Sequence, residues 1–409
     1  MVKAQSWQNW TQKESREHFF SYPTNITLGY LWSFGSLAGF CLVLQIISGL
    51  LLAIHYLPSA EEAFFTTEQI YREVNYGWLL RYLHSNGASF FFIVLYTHIL
   101  RSLLTASYSK NWINTWFTGV IMFILVIATA FFGYVLPWGQ MSLWGATVIT
   151  NLFSAVPIVG VKLVLWLWGG FSVDSPTLGK FFTLHFLLPF VIAALAGLHI
   201  LFLHDSGSSS QLSTISLKDQ KYFFSYFAVK DLLGIVYFLI LLGLVIIYAP
   251  NLLGHPDNYI EANHMVTPLH IVPEWYFLPF YAILRSVPSK LNGVILMFGS
   301  LLILLIFPYI QLNRGFIKKN FFFLPTTVLS NIQSAQLNIF HSILMTFLIV
   351  VFILLGWLGG KPAVEPYTTV SLWLSISYFS LLFFGRSLSN LWHFILFSKL
   401  QLAGKSSKK

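Results

Sequence analysis

Residues 82–100 read YLHSNGASFFFIVLYTHIL, and residues 181–204 read FFTLHFLLPFVIAALAGLHILFLH. Neither stretch contains Asp, Glu, Lys or Arg. Each is long enough to cross a bilayer, which takes ~20 residues of apolar helix. Each also carries two histidines inside the apolar run: His84 and His98 in the first, His185 and His199 in the second. An ionisable group within a span is costly and so needs a reason.

Working outward, charge-free stretches recur at 18–60, 111–161, 232–256, 291–313, 320–360 and 366–385. With the two above they predict eight spanning helices, at 32–54, 78–104, 115–136, 178–204, 231–249, 291–311, 338–357 and 367–385. The surplus in 111–161 is a connector that begins at Pro137-Trp138-Gly139 and is too turn-rich to be one span. The long polar connector 250–290 is a candidate functional loop.

Composition agrees. Of 409 residues, 56% are apolar and only 9% charged, where soluble proteins carry about 25% charged. A soluble surface cannot be built from so few charges. The fold class expected is all-α: a polytopic membrane protein with eight transmembrane helices. Residues 1–215 would form an N-terminal four-helix region, 216–390 a C-terminal region, and 391–409 a basic tail whose end, 399–409, is flexible and lipid-facing. The net charge of +9 comes from short loops, so no nucleic-acid partner is expected. Both termini fall on one side, which collects 16 of the 23 Lys and Arg, among them Lys218, Lys221, Arg314, Lys318, Lys319, Lys399, Lys405, Lys408 and Lys409. That side is the negative one. The single cysteine, Cys41, excludes a disulfide framework, a thiolate zinc site and an iron–sulfur cluster within the chain. The first 25 residues hold no apolar core, so a cleaved secretory signal is not expected.

Both histidine pairs are 14 residues apart. Fourteen helical steps fall about 40° short of four turns, so each pair shares one face and spans a rise of ~21 Å. The second and fourth spans run in the same direction. His84 therefore matches His185 in depth, and His98 matches His199. Two levels of facing imidazoles are what bis-histidine ligation of two stacked haems requires. The alternative is four buried histidines bonded to neighbouring carbonyls. Gly35 and Gly49 in the first span, and Gly119 and Gly133 in the third, repeat the 14-residue interval. A missing Cβ would let a flat macrocycle approach the backbone, although small residues also serve simple helix packing. Arg81 and Arg101 each lie three residues from a histidine, at the span ends. They could pair with propionates or snorkel to the interface.

Other residues carry chemistry. Glu274 in Pro273-Glu274-Trp275-Tyr276 follows a rigid proline and is flanked by aromatics. Desolvation would raise its pKa and let it accept a proton, or it is an exposed turn residue. Tyr281 and Arg285 follow at helical spacing. At the opposite face, His204 ends the fourth span and Lys230 and Asp231 start the fifth. They could deliver protons to a reduced quinone, or Asp231 simply caps its helix. Gly207 with Ser206, Ser208, Ser209 and Ser210 reads as a flexible or quinone-lining loop. His55 is a lone histidine at the end of the first span. His18, His255, His264, His270, His341 and His393 show no partner pattern and read as loop or interface residues.

With these residues placed, the chain resembles cytochrome b of the quinol:cytochrome c reductase (cytochrome bc) complex over about residues 20–385. The resemblance is carried by Phe34-Gly35-Ser36-Leu37, Arg81-Tyr82-Leu83-His84, Gly133-Tyr134-Val135-Leu136-Pro137-Trp138-Gly139-Gln140 and Trp144-Gly145-Ala146-Thr147. Gly169-Gly170-Phe171-Ser172-Val173-Asp174, the Pro-Glu-Trp-Tyr run and Tyr281-Ala282-Ile283-Leu284-Arg285-Ser286 extend it. It implies two b-type haems, the low-potential one on His84/His185 and the high-potential one on His98/His199. It implies a quinol-oxidising pocket of Phe131, Tyr134, Gly145, Pro273, Glu274 and Tyr281. It also implies a quinone-reducing pocket of His204, Ser208, Lys230, Asp231, Trp32 and Ser36. Ubiquinol and ubiquinone would be the substrates. A Rieske-type iron–sulfur protein, a c-type cytochrome and further subunits of a homodimeric complex would be the partners. The continuous chain and the equal intervals resemble the respiratory rather than the chloroplast form. The Phe-rich, charge-poor composition implies the mitochondrial inner membrane with matrix-facing termini, the alternative being a bacterial inner membrane. Phe224-Ser225, Val272, Leu269, His264 and Ser102 depart from the family pattern. The competing readings are another two-haem membrane cytochrome anchoring a dehydrogenase, and a non-redox transporter with structural histidines.

Overall fold

In the computed structural model the described residues are 22–108, 110–208, 220–312 and 339–406. Twelve α-helices are described: α1 Phe34–Ala53, α2 Ala63–Arg72, α3 Gly77–Leu104, α4 Ile113–Val135, α5 Gln140–Asn151, α6 Gly160–Trp168, α7 Ser175–Ser206, α8 Ala228–Tyr248, α9 Leu278–Arg285, α10 Lys290–Leu312, α11 Ile339–Gly359 and α12 Tyr367–Ser406. Eight of them (α1, α3, α4, α7, α8, α10, α11 and α12) are long and apolar enough to cross a membrane. These are the eight spans expected, each starting within three residues of its expected position. A short ladder, β1 Pro23–Asn25 antiparallel to β2 Gln220–Tyr222, ties the start of α1 to the segment before α8.

Local chemistry sets the ends. Asp174 caps α7 through Ser175 N–H, with Thr177 closing a reciprocal capping box. At its other end Gly207 turns the chain with φ +72°, a conformation that favours glycine. Tyr76 takes φ +58° at the start of α3. Helix α1 packs along α3, and α4 packs along α7, giving a four-helix bundle. Helices α9, α11, α12 and α10 form a second group against α3 and α4. One apolar core joins the two, with Phe92, Phe123, Phe280, Phe307, Val351 and Leu382 buried in it. Buried polar tethers cross the seam. Trp116 Nε1 donates to Leu304 O at 2.7 Å, the Tyr378 hydroxyl donates to Ser300 O at 3.0 Å, and the Tyr96 hydroxyl donates to Tyr276 O. In an apolar medium such groups stay together because no water competes for them. Leu187, Phe190, Ile240, Leu241, Ile353 and Trp373 stand exposed on the outer faces, as a lipid-facing surface requires.

The connector after Pro137 is not one span, as expected; it carries the short helix α5 and leads into α6. Three other expectations change. Helix α12 continues through Ser406, so the backbone of the segment assigned to the tail from 391 is helical. Ser206 belongs to α7 rather than to a loop. His341 is no interface residue: it is 3% exposed within α11, and its Nε2 lies 3.2 Å from Leu103 O. Its neighbours in sequence gave no hint, because the satisfying carbonyl belongs to a distant helix. His18, Ser209, Ser210, Lys218, Arg314, Lys318, Lys319, Lys408 and Lys409 lie outside the described residues.

Candidate functional site

Helices α3 and α7 bring the four histidines together as two facing pairs. The ring centroids of His84 and His185 are 6.1 Å apart, and those of His98 and His199 are 6.4 Å apart. A metal held between two imidazoles at ~2.0–2.1 Å from each nitrogen spaces the ring centres by about 6.3 Å. Both pairs match that spacing. Their Nδ1 atoms show which nitrogen is free. Ser48 Oγ lies 2.8 Å from His84 Nδ1 and 2.7 Å from Leu44 O. Its one proton goes to the carbonyl, so it accepts from the imidazole. Thr118 Oγ1 repeats this, 2.9 Å from Asn114 O and 3.1 Å from His199 Nδ1. His185 Nδ1 donates to Thr129 O at 2.8 Å. The proton therefore sits on Nδ1 in these three rings, and the Nε2 lone pair remains for a metal.

Each glycine of the 14-residue pattern lies against one imidazole. A Cβ on Gly35 would stand 3.2 Å from Cε1 of His98, on Gly49 3.1 Å from that of His84, on Gly119 3.1 Å from that of His199, and on Gly133 2.3 Å from that of His185. Each imidazole thus packs against the bare Cα of one glycine, a close approach that a Cβ would obstruct. Arg101 Nε is buried with no hydrogen-bond partner, and its guanidinium lies 5.3 Å over the Trp32 ring. A buried cation left unpaired is expensive, so the site suits an anionic group such as a propionate. Arg81 lines two cavities, of about 190 Å³ and 120 Å³, that His84 and His185 also line. The residues fit two bis-histidine haems.

The larger cavity extends to Glu274, Tyr134, His255, Asn258 and Tyr276. Burial pushes the Glu274 carboxyl up to about 7, against the opposing pull of Tyr134 and Arg81. The Tyr134 hydroxyl is buried without a partner at hydrogen-bond length. Tyr276 stacks on Phe92 at 4.1 Å, and Trp275 Nε1 donates to Ser89 Oγ at 3.1 Å, which fixes the run around Glu274. Four residues assigned to this pocket do not line the cavity. Phe131 packs on Phe181 at 5.6 Å. Tyr281 lies under the Arg285 guanidinium at 4.2 Å. Gly145 faces open space, and Pro273 immediately precedes Glu274 in the chain. Asn258 was missed from sequence. Its Oδ1 accepts from Ser142 N at 2.8 Å and from Ser142 Oγ at 3.0 Å, a contact across more than a hundred residues that no local pattern announces.

At the other end of the bundle, His204 stacks on Tyr22 with centroids 4.5 Å apart. Lys230 Nζ donates to Leu28 O at 2.7 Å and lies 4.7 Å over the Tyr30 ring. Asp231 occupies the first turn of α8. Ser36 Oγ donates to Ser33 O at 2.8 Å. Ser208 follows the α7 cap.

Eight spans and two facing histidine pairs at different depths define a helical membrane protein of the bis-histidine kind. Residues 19–207 match the family profile described as Cytochrome b/b6/petB, and residues 261–320 and 312–379 match Cytochrome b(C-terminal)/b6/petD. Curated relatives named Cytochrome b include those of Phytophthora megasperma, 53% identical over 87% of this chain and 88% of that one, and Cyanidium caldarium, 51% identical over 88% and 90%. A third, from Rickettsia bellii, is 51% identical over 89% and 87%. A solved chain of a "Hyperthermophilic respiratory Complex III" superposes with a TM-score of 0.83 at 28% identity, covering 93% of this chain and 96% of that one. The chain belongs to the cytochrome b family, and its function is that of a redox subunit of quinol:cytochrome c reductase.

Proposed function

We propose that this chain holds two b-type haems, one on His84 and His185 and the other on His98 and His199, and carries both quinone sites of the reductase. When bound, the haems would supply one-electron chemistry at two depths of the membrane. The observation that carries the reading is the doubled pairing, with ring spacings of 6.1 and 6.4 Å. Glu274 accepts a proton from quinol at the wall of the larger cavity, on the positive side. Its raised pKa suits a base near neutral pH. Arg81 lines the same cavity and its charge favours the Glu274 anion, against the larger effect of burial. The chain's one cysteine leaves no iron–sulfur site of its own. Of the two electrons of quinol, one therefore passes to a partner Rieske-type protein and from there to a c-type cytochrome, and the other would be taken up by the haem that His84 and His185 would hold. At the negative side, His204 and Asp231 supply protons to quinone, with Lys230, Ser208, Trp32 and Ser36 shaping the pocket. Tyr281, Phe131, Gly145 and Pro273 belong to the quinol pocket as it is completed by quinol and partner.

We place the chain in the mitochondrial inner membrane as part of a homodimeric complex, with both termini on the matrix side. The relatives include a rickettsial chain, so the bacterial inner membrane is the second location. A redox titration of the visible spectrum tests the core of the reading. Two b-type components at two haems per chain are expected. One component would make one pair structural, and no haem absorbance in a folded preparation would overturn the proposal.

A further inference from the structure

The four imidazoles are not equally supported. His84 Nδ1 donates to Ser48 Oγ and His185 Nδ1 to Thr129 O, both at 2.8 Å. His199 Nδ1 donates to Thr118 Oγ1 at 3.1 Å and has the Thr115 carbonyl beside it. Among the described residues the buried His98 Nδ1 has no partner.

The 14-residue register explains the gap. In α4, Thr115 and Thr129 each precede a glycine of the pattern by four residues, so both histidines of α7 find a backbone carbonyl. In α1 the residue before Gly49 is Ser48, which serves His84. The residue before Gly35 is Phe34, a phenyl ring that cannot accept from His98. Arg81 acts on His84 alone, whereas Arg101 acts on both His98 and His199. That charge favours the same order of the two centres, so the contribution of residues 34 and 48 is read by substituting them with both arginines in place.

An acceptor at Nδ1–H makes the imidazole a stronger donor through Nε2 and favours the oxidised metal. This rests on the haem reading above. From it we infer that residues 34 and 48 help set the order of the two potentials: Ser48 holds the His84/His185 centre low, and Phe34 leaves the His98/His199 centre high by denying His98 an acceptor. Ser48 and Phe34 are positioning residues acting through the histidines.

The test is a redox titration of the purified complex, with haem content measured alongside. Ser48→Ala should raise the potential of the lower component alone, so that its oxidised-to-reduced ratio at fixed potential falls about fivefold, the worth of one hydrogen bond. Ser48→Thr keeps the hydroxyl and should leave both components in place. Phe34→Ser should lower the higher-potential component alone. A Ser48→Ala protein with both components unmoved would overturn the inference, as would a Phe34→Ser protein whose upper component stays or rises. Phe34→Ser removes no ligand contact and decides the matter if Ser48→Ala fails to retain haem. If the unsubstituted complex lacks two components, the haem reading itself has failed. If both components are present and ignore these substitutions, only the present inference has.

Discussion

A Cβ placed on Gly133 would lie 2.3 Å from Cε1 of His185, 2.8 Å from its Nδ1 and 2.9 Å from its Nε2. The ring cannot retreat, because its Nδ1 is tied to Thr129 O one turn away on the same helix. Gly133→Ala should therefore displace His185 and cost 1–3 kcal/mol of overpacking, on the order of other core insertions. The expected outcome is loss of the lower-potential b component from the spectrum, with the other retained. At Gly35 the same Cβ would stand 3.2 Å from Cε1 of His98, a few tenths of an ångström too close. Gly35→Ala should keep both components. Equal behaviour of the two variants would refute the steric ranking.

Glu274 gives a pH dependence with a definite sign. Its carboxyl is neutral below about 7 and anionic above it, and only the anion can accept a proton. Quinol oxidation should rise as pH passes upward through about 7. Glu274→Gln should slow it by ~10²-fold or more, the usual worth of a general base, and flatten the profile across that range. Both haem spectra should persist, since among the described residues the three Nδ1 hydrogen bonds of the paired histidines go to Ser48, Thr129 and Thr118 and none to Glu274. Steady-state rates from pH 5.5 to 8.5 check this, and normal turnover in the variant would remove Glu274 from the mechanism.

The spans and the histidine pairs were legible because their signals are local. Hydropathy marks a span within its own ~20 residues, and a 14-residue interval fixes a helix face without any knowledge of neighbours. What sequence reading missed depends on partners brought by folding. Ser48 and Thr118 look like ordinary small residues of a membrane helix until the imidazoles arrive. Asn258 gains its role from Ser142. Arg285 was noted only for its spacing from Tyr281, while its hydrogen bonds run to residues 358–361. Helices α2, α5 and α6 escaped notice because a short amphipathic helix at the interface has neither the length of a span nor a distinct turn signature.

Arg285 joins two elements that sequence keeps apart. Its Nη2 donates to the carbonyls of Leu358 at 3.2 Å, Gly359 at 2.7 Å and Lys361 at 3.0 Å. These carbonyls lie at and beyond the end of α11, where a cation is favoured; Leu358 O also accepts from Lys361 N at 3.0 Å. The guanidinium also covers the Tyr281 ring at 4.2 Å. Arg285→Ala should cost about 2 kcal/mol, the scale of hydrogen bonds to a charged group, and lower the melting temperature of the complex. Arg285→Lys keeps a charge over the ring without the fork and should recover only part of the loss. Full recovery with Lys would mean that charge, rather than the three-carbonyl geometry, holds the joint.

Gln140 holds down the segment beside Glu274's cavity. It is 6% exposed. Its Nε2 donates to Val266 O at 3.0 Å, its Oε1 accepts from Asn263 N at 3.0 Å and from Trp144 Nε1 at 3.2 Å, and its backbone N–H donates to Ile260 O at 2.9 Å. Beyond the clamp, Met265 and Leu269 stand almost wholly exposed at 90% and 108%, and the side-chain amide restrains the loop together with the backbone bond from Ala262 N to Trp138 O at 3.0 Å and the Trp138–His264 ring contact. Gln140→Leu preserves bulk and leaves Val266 O and Asn263 N without their partner, at about 1–3 kcal/mol for each group that stays buried. Limited proteolysis should then cut within 262–271 faster than in the unsubstituted chain. Quinol oxidation should fall, because the same segment leads into Pro273 and Glu274, while both b components keep their potentials. Unchanged cleavage would show that these other contacts, with the backbone bridge to Gly139, hold the loop, and the amide would have no part in presenting Glu274.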